Sequence, residues 1–161
     1  MFTLIFSNHT TMRLEEAINQ KKPFKSNQHK IAVNLVYTYH WLHQQFDKVY
    51  KEINITGQQY NILRILRGQY PNACTVNLLI DRMLDKSSNA SRLVDKLVAK
   101  TLVKRTVNKS DRRAVDVVIT EKGLQFLAET EIKIDALQNK IISLTESESD
   151  TLNQLLDKVR G

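Results

Sequence analysis

The sequence predicts a mainly α-helical protein that carries one small antiparallel β-hairpin. Three observations carry this. Apolar residues recur at helical spacing over most of the 161 residues, with four glycines and two prolines to interrupt them. The period then changes: Leu102 to Val107 and Ala114 to Ile119 are β-branched and alternate, as half-buried strands do. The charge lies beside that change. Lys86 to Arg113 holds nine basic and two acidic residues, so its net charge equals the +7 of the whole chain. A compact basic segment on an otherwise balanced protein is the footprint of a polyanion partner, most often nucleic acid.

Residues 1–26 read as a weakly structured N-terminal arm, with a short helix over Met12 to Gln20 that Lys21-Lys22-Pro23 ends. Met1 to Thr11 fits no helical or strand pattern, and Met12 is a candidate natural start. The apolar start lacks a basic flank and is too short for a signal peptide. No apolar run approaches the roughly 20 residues that span a bilayer, so no membrane partner is expected. The single cysteine, Cys74, excludes an intrachain disulfide and suits a reducing cytoplasm.

From Asn27 a long helix carries Ile31, Leu35, Tyr39, Leu42, Phe46, Val49 and Ile53 at steps of three and four. A second set, Val33, Val36, Tyr37, Trp41 and Tyr50, falls off that stripe. A helix apolar over more than one face needs more than one partner surface, which in a small protein points to a dimer interface. A central core helix in a monomer is the competing reading.

Thr56-Gly57-Gln58-Gln59 is a capping box that opens the next helix, and Gly68 and Pro71 close it. Thr75 can cap a short helix over Val76 to Leu84, with Leu78, Leu79 and Met83 facing inward. Ser87 or Ser88 is expected to cap a fourth helix that runs to Lys100, with Ala90, Leu93, Val94, Leu97 and Val98 as its buried face. At about 100° per residue, Ser88, Arg92, Asp95 and Ala99 point away, flanked by Asn89 and Lys96. The hairpin follows, with the turn-rich basic tip Asn108-Lys109-Ser110-Asp111-Arg112-Arg113. Thr120 caps a long helix from Glu121 to about Ile142, and Thr145 to Glu148 is a second capping box before a last helix bearing Leu152, Leu155, Leu156 and Val159.

Three short helices followed by a two-stranded basic hairpin is the winged helix-turn-helix plan. Residues 55–120 are assigned to it, and 27–54 with 121–161 to a helical dimerisation region. In this plan the third helix enters the major groove by its N-terminal residues and the hairpin reaches sideways to backbone or minor groove. Arg92 has the fork for guanine O6 and N7, and Asn89 suits adenine N6 and N7. Ser87, Ser88 and Ser91 are small enough for close approach and can bond phosphates, with Lys96 behind them. Lys109, Arg112 and Arg113 sit on a thin hairpin, where the arginines can enter a narrow minor groove. Asp111 either pins an arginine by a bidentate pair or serves as a turn residue.

Three blocks carry a family resemblance: Gln59 to Leu66, Ser91 to Leu97, and Asp111-Arg112-Arg113 continued through Thr120-Glu121-Lys122-Gly123. They resemble the MarR (multiple antibiotic resistance regulator) family, from about Asn27 to the C-terminus. The resemblance implies an obligate homodimer with interlocking terminal helices and a pseudo-palindromic operator on double-stranded DNA, repression being the commoner mode. It assigns Ser87 to Lys96 to the major groove, Arg113 to the minor groove and Asp111 to bracing it. The family usually has glycine after the recognition helix, where this chain has Thr101. A β-branched residue is strained at positive φ, so this helix is expected to end differently.

Members of that family usually answer to a small molecule, oxidant or metal. Tyr37, Tyr39, Trp41, His40 and His43 are candidates for a pocket that takes a small-molecule inducer, although such clusters are more often interface packing. Cys74 has no basic residue within six positions, so a redox role is a minority reading. With four histidines and none in the wing, a dedicated metal sensor is not expected, nor is any cofactor. No nucleophile, glycine-loop or metal-ligand motif supports an enzyme. A winged helix used for protein contact remains the alternative, but it would show apolar or acidic residues where Arg92, Lys96 and the basic wing stand.

Overall fold

Helix ends position most of this structure, a computed structural model that describes residues 12–108 and 114–161. The chain divides into two compact units between Gln44 and Gln45. The first holds α1 (Leu14–Ala17) and the first part of α2 (Asn27–Glu52). Ser26 Oγ accepts from His29 N at 3.1 Å and starts α2, and Lys30 Nζ donates to Glu15 Oε1 at 2.5 Å. No residue of α2 is buried, and Ile31, Leu35, Val36, Tyr37, Tyr39 and Trp41 are exposed.

The second unit holds the end of α2, then α3 (Gly57–Arg67), β1 (Cys74–Thr75), α4 (Val76–Arg82), α5 (Ala90–Ala99), β2 (Val103–Val107), β3 (Val115–Ile119), α6 (Glu121–Ile141) and α7 (Glu146–Arg160). The expected helices and hairpin are present. The sheet has one strand more than expected: β1 pairs antiparallel with β3, Cys74 opposite Val117, giving the order β1-β3-β2. Two residues are too few to show a period of 2, so no sequence pattern marks this strand. The hairpin register runs from Val103↔Ile119 to Val107↔Val115. Ile62, Leu63, Leu66, Leu79, Val94, Leu97, Val117 and Leu127 are buried in one core, with Phe46, Val49, Tyr50 and Ile53 of the α2 end packed on it.

Four threonines open helices as expected. Thr56, Thr75, Thr120 and Thr145 each accept a bond from the amide three residues on, which satisfies one of the free N–H groups of a helix start. Gln59 is buried, and its Oε1 accepts from Thr56 N at 3.0 Å, so no polar end is stranded there.

The helix ends depart from expectation. Thr101 does adopt the left-handed conformation that glycine would supply, at φ 62°. Its N–H donates to Val98 O at 2.8 Å, and Leu102 N donates to Leu97 O at 3.1 Å. These are the two bonds of a Schellman motif. The strain is offset locally: Thr101 Oγ1 donates to Lys100 O at 2.6 Å and accepts from Lys122 Nζ at 2.7 Å. Asn54, at φ 56°, ends α2 the same way, with Ile55 N on Tyr50 O at 3.0 Å.

Leu102 O then becomes the meeting point of α5, the hairpin and α6. It accepts from Thr120 N at 3.0 Å and Thr120 Oγ1 at 3.1 Å. Gly123 lies directly over it. A Cβ there would overlap Leu102 O and come within 2.7 Å of Ile119 Cγ1.

Gly123→Ala is therefore expected to cost about 2–3 kcal/mol, because the clash is with backbone; urea unfolding checks this, and an unchanged midpoint would remove the close approach. Thr101→Gly relieves a left-handed β-branched residue and is expected to stabilise by about 0.5–1 kcal/mol in the same measurement, after the loss of the Lys122 bond.

Candidate nucleic-acid interface

The interface begins at the turn before α5. Met83 is buried and anchors the end of α4, and Leu84 N donates to Asn61 Oδ1 at 3.0 Å. Asp85 then gathers the next residues. Its carboxylate accepts from Ser87 N at 3.0 Å, Ser87 Oγ at 2.5 Å and Ser88 Oγ at 2.7 Å. These bonds, Ser87 first, hold the Asp85 carboxyl below its ordinary range.

The helix cap is Asn89, not Ser87 or Ser88. Asn89 Oδ1 accepts from Arg92 N at 3.0 Å. The serines lie one and two residues too early, and Asp85 has taken their hydroxyls. Two expectations change in consequence. In this structure Ser87 and Ser88 donate to a carboxylate, so neither hydroxyl is free for a phosphate. Bidentate pairing of Asn89 with adenine needs the oxygen that the cap engages.

The helical period otherwise holds on α5 except at Val98, expected on the buried face and exposed in the structure, and at Leu93, which is half-buried. Ser91, Arg92, Asp95 and Lys96 are exposed, while Ala90, Val94 and Leu97 are buried. Arg92 and Lys96 have no ion-pair partner among the described residues. Asp95 is exposed but paired: Arg105 Nη1 of β2 donates to its Oδ1 at 2.5 Å. This pair ties the recognition helix to the first strand of the wing. Sequence reasoning missed Arg105, because ten residues and a turn separate the partners. Lys100 Nζ also turns inward, donating to Asn54 O at 2.7 Å at the end of α2.

β2 and β3 carry the hairpin outward. At its neck Asn108 N donates to Ala114 O at 3.1 Å and Asn108 Nδ2 to Asp116 Oδ1 at 2.8 Å. Lys109, Asp111, Arg112 and Arg113 lie outside the described residues.

The candidate sensing residues all fall in the first unit. Tyr37 and His40 line an apolar groove with Ile18, Ala32, Val33 and Val36. Tyr39 has its ring centroid 5.3 Å from that of His40 and 5.8 Å from that of His43. Trp41 is exposed and lines no part of this groove. Cys74 is fully buried in β1, and burial pushes its thiol pKa up.

Cys74 is therefore expected to resist a disulfide reagent in the native protein and to react only on unfolding; fast labelling of the folded chain would place the thiol at the surface. Asn89→Ala should cost about 1 kcal/mol by loss of the cap, read by thermal or urea unfolding, whereas Ser87→Ala should leave the helix capped.

Comparison with known proteins accords with this geometry. A MarR family profile matches residues 53–114. The multiple antibiotic resistance protein MarR of Escherichia coli (strain K12) is 30% identical over 127 residues, 74% of this chain and 86% of that protein. The crystal structure of a complex of Staphylococcus aureus MepR with DNA superposes with a TM-score of 0.71 at 22% identity, covering 80% of this chain and 94% of that one. Bordetella bronchiseptica BpsR, whose DNA binding is regulated by 6-hydroxynicotinic acid, gives a TM-score of 0.71 at 22% identity, over 82% and 99% of the two chains. No helix among the described residues is long and apolar enough to cross a membrane. With a capped α5, a two-stranded hairpin packed beside it and a relative of this similarity across most of its length, the chain belongs to the MarR family of DNA-binding transcription regulators.

Proposed function

We propose that the chain acts as a homodimer on a pseudo-palindromic operator, chiefly as a repressor, and is released by a small-molecule inducer. One observation supports the DNA reading above the rest. The exposed face of α5 is small, polar and basic through Ser91, Arg92 and Lys96, and no bulky apolar side chain obstructs its N-terminal half. Arg92 is assigned to base edges in the major groove, with Ser87, Ser88 and Asn89 forming the turn that approaches it. The wing residues Lys109, Arg112 and Arg113 are assigned to backbone and minor groove, and Asp111 to bracing them.

The dimer reading rests on apolar surface that one chain leaves open. Ile31, Leu35, Val36 and Tyr39 are exposed on α2, and Leu152, Leu155 and Val159 on α7, where no residue is buried. Rows of exposed large apolar residues mark interaction surfaces. The inducer reading rests on the groove of Ile18, Val33, Val36, Tyr37 and His40, with Tyr39, Trp41 and His43 on the same helix, and on the regulation stated for BpsR. A protein that reads DNA in this way acts in the cytoplasm.

The test is fluorescence anisotropy on a duplex selected by this protein from a random pool, and on a random duplex, across a salt series. Binding of one dimer per site, tighter by about a thousandfold or more on the selected duplex, is the expected result. Weak, equal binding to both would favour a winged helix that contacts protein. Arg92→Ala should cost about 1–3 kcal/mol on the selected duplex and much less on random DNA; equal losses would confine it to backbone. Arg113→Ala should weaken both and flatten the salt slope by about one unit, and an unchanged slope would remove Arg113 from the interface.

A further inference from the structure

Asp85 stands where a phosphate-binding surface should have no acid. It lies in the turn between α4 and α5, at the N-terminal approach to the recognition helix. This is the end that a helix-turn-helix presents to the groove. Among the described residues no lysine or arginine pairs with it. Its partners are neutral donors: Ser87 N, Ser87 Oγ and Ser88 Oγ, at 2.5 to 3.0 Å. Ser88 N also closes on Asp85 O at 3.4 Å, and the Gln58 side chain at the start of α3 reaches the carboxylate.

This arrangement has two physical effects with opposite signs for DNA. The bonds fix the turn, and with it the position from which Asn89 caps α5 and Arg92 leaves the helix. A fixed turn favours the one duplex whose base edges meet Arg92. The charge, which pairs with no cation among the described residues, repels the backbone of every duplex to the same extent. The first effect raises binding to the cognate site alone; the second lowers binding to all DNA, so the cognate site keeps a gain to set against the repulsion and other DNA meets only the repulsion. A serine hydroxyl that turned to a phosphate would strip Asp85 of a donor, so the hydroxyls cannot serve both.

We propose that Asp85 is a positioning residue that sets the DNA specificity of this protein, holding the Ser87-Ser88 turn for cognate contact while its charge suppresses binding to DNA of arbitrary sequence. This rests on the DNA reading above.

Two variants of the full chain separate the effects. Asp85→Asn removes the charge and keeps one acceptor oxygen in place. Asp85→Glu keeps the charge and moves it by one methylene. Both are measured by anisotropy on the selected duplex and on the random duplex, beside the unaltered protein, with thermal unfolding of each. Asp85→Asn is expected to bind the random duplex about threefold tighter, the Coulomb effect of one charge at ~7 Å from a phosphate in water. Loss of structure alone would not tighten binding. Asp85→Glu is expected to weaken binding to the selected duplex about tenfold, the scale of one mismatched contact, and to leave the random duplex unchanged. Selected-duplex binding kept by Asp85→Glu overturns the positioning role. Random-duplex binding unchanged in Asp85→Asn overturns the charge role. Unaltered protein that binds the two duplexes equally overturns the DNA reading itself, and Asp85 with it.

Discussion

The backbone carbonyl of Leu102 is the point on which the winged part of the chain depends. α5 ends two residues before Thr101 and β2 starts one residue after Leu102, so a short stretch joins helix and wing. Thr120, at the end of β3 and the start of α6, bonds that carbonyl through both its amide and its hydroxyl. Gly123 lets the first turn of α6 lie against it. Lys122 closes the group from the side, on Thr101 Oγ1 and Lys100 O. A cation at the end of a helix also meets the negative pole of its dipole. The angle between helix and wing is set here, by a handful of hydrogen bonds and one missing methyl group.

The charge of the basic segment is distributed less freely than a count suggests. Lys100 caps the end of α2 and Arg105 holds Asp95, so two of its cations are tied into the fold. Arg92 and Lys96 remain on the outward face. The ion pair between Asp95 and Arg105 is exposed and contributes little to stability. Its effect is geometric, since it joins α5 to the first strand of the hairpin. The acid on α5 is thereby neutralised without removing it from the surface.

Much of this was legible in the sequence, for reasons that are local. A threonine three residues before a free amide caps a helix where no neighbour competes for its hydroxyl, so Thr56, Thr75, Thr120 and Thr145 were readable directly. Alternation over five residues located both wing strands. The failures are competitions between neighbours or pairings across distance. Ser87 and Ser88 are good caps in isolation, but Asp85 binds them first and leaves the role to Asn89. Thr101 is a poor left-handed residue in isolation, but Lys122 from another helix compensates it. β1 is a strand only because Val117 lies opposite Cys74. The outward residues of α5 followed from helical period alone, while Arg105 needed the hairpin to be folded back upon the helix.

The burial of Cys74 has a chemical consequence beyond its own inertness. It is the only cysteine in the 161 residues, and β1 withdraws it from solvent. A cysteine introduced at any exposed position would therefore be the sole accessible thiol of the folded chain. Spectroscopic labels attached there would report a single address, with the native residue left in place. A spin label on α7 or beside the wing would then report on that element alone, without first dismantling the core strand that Cys74 helps to hold.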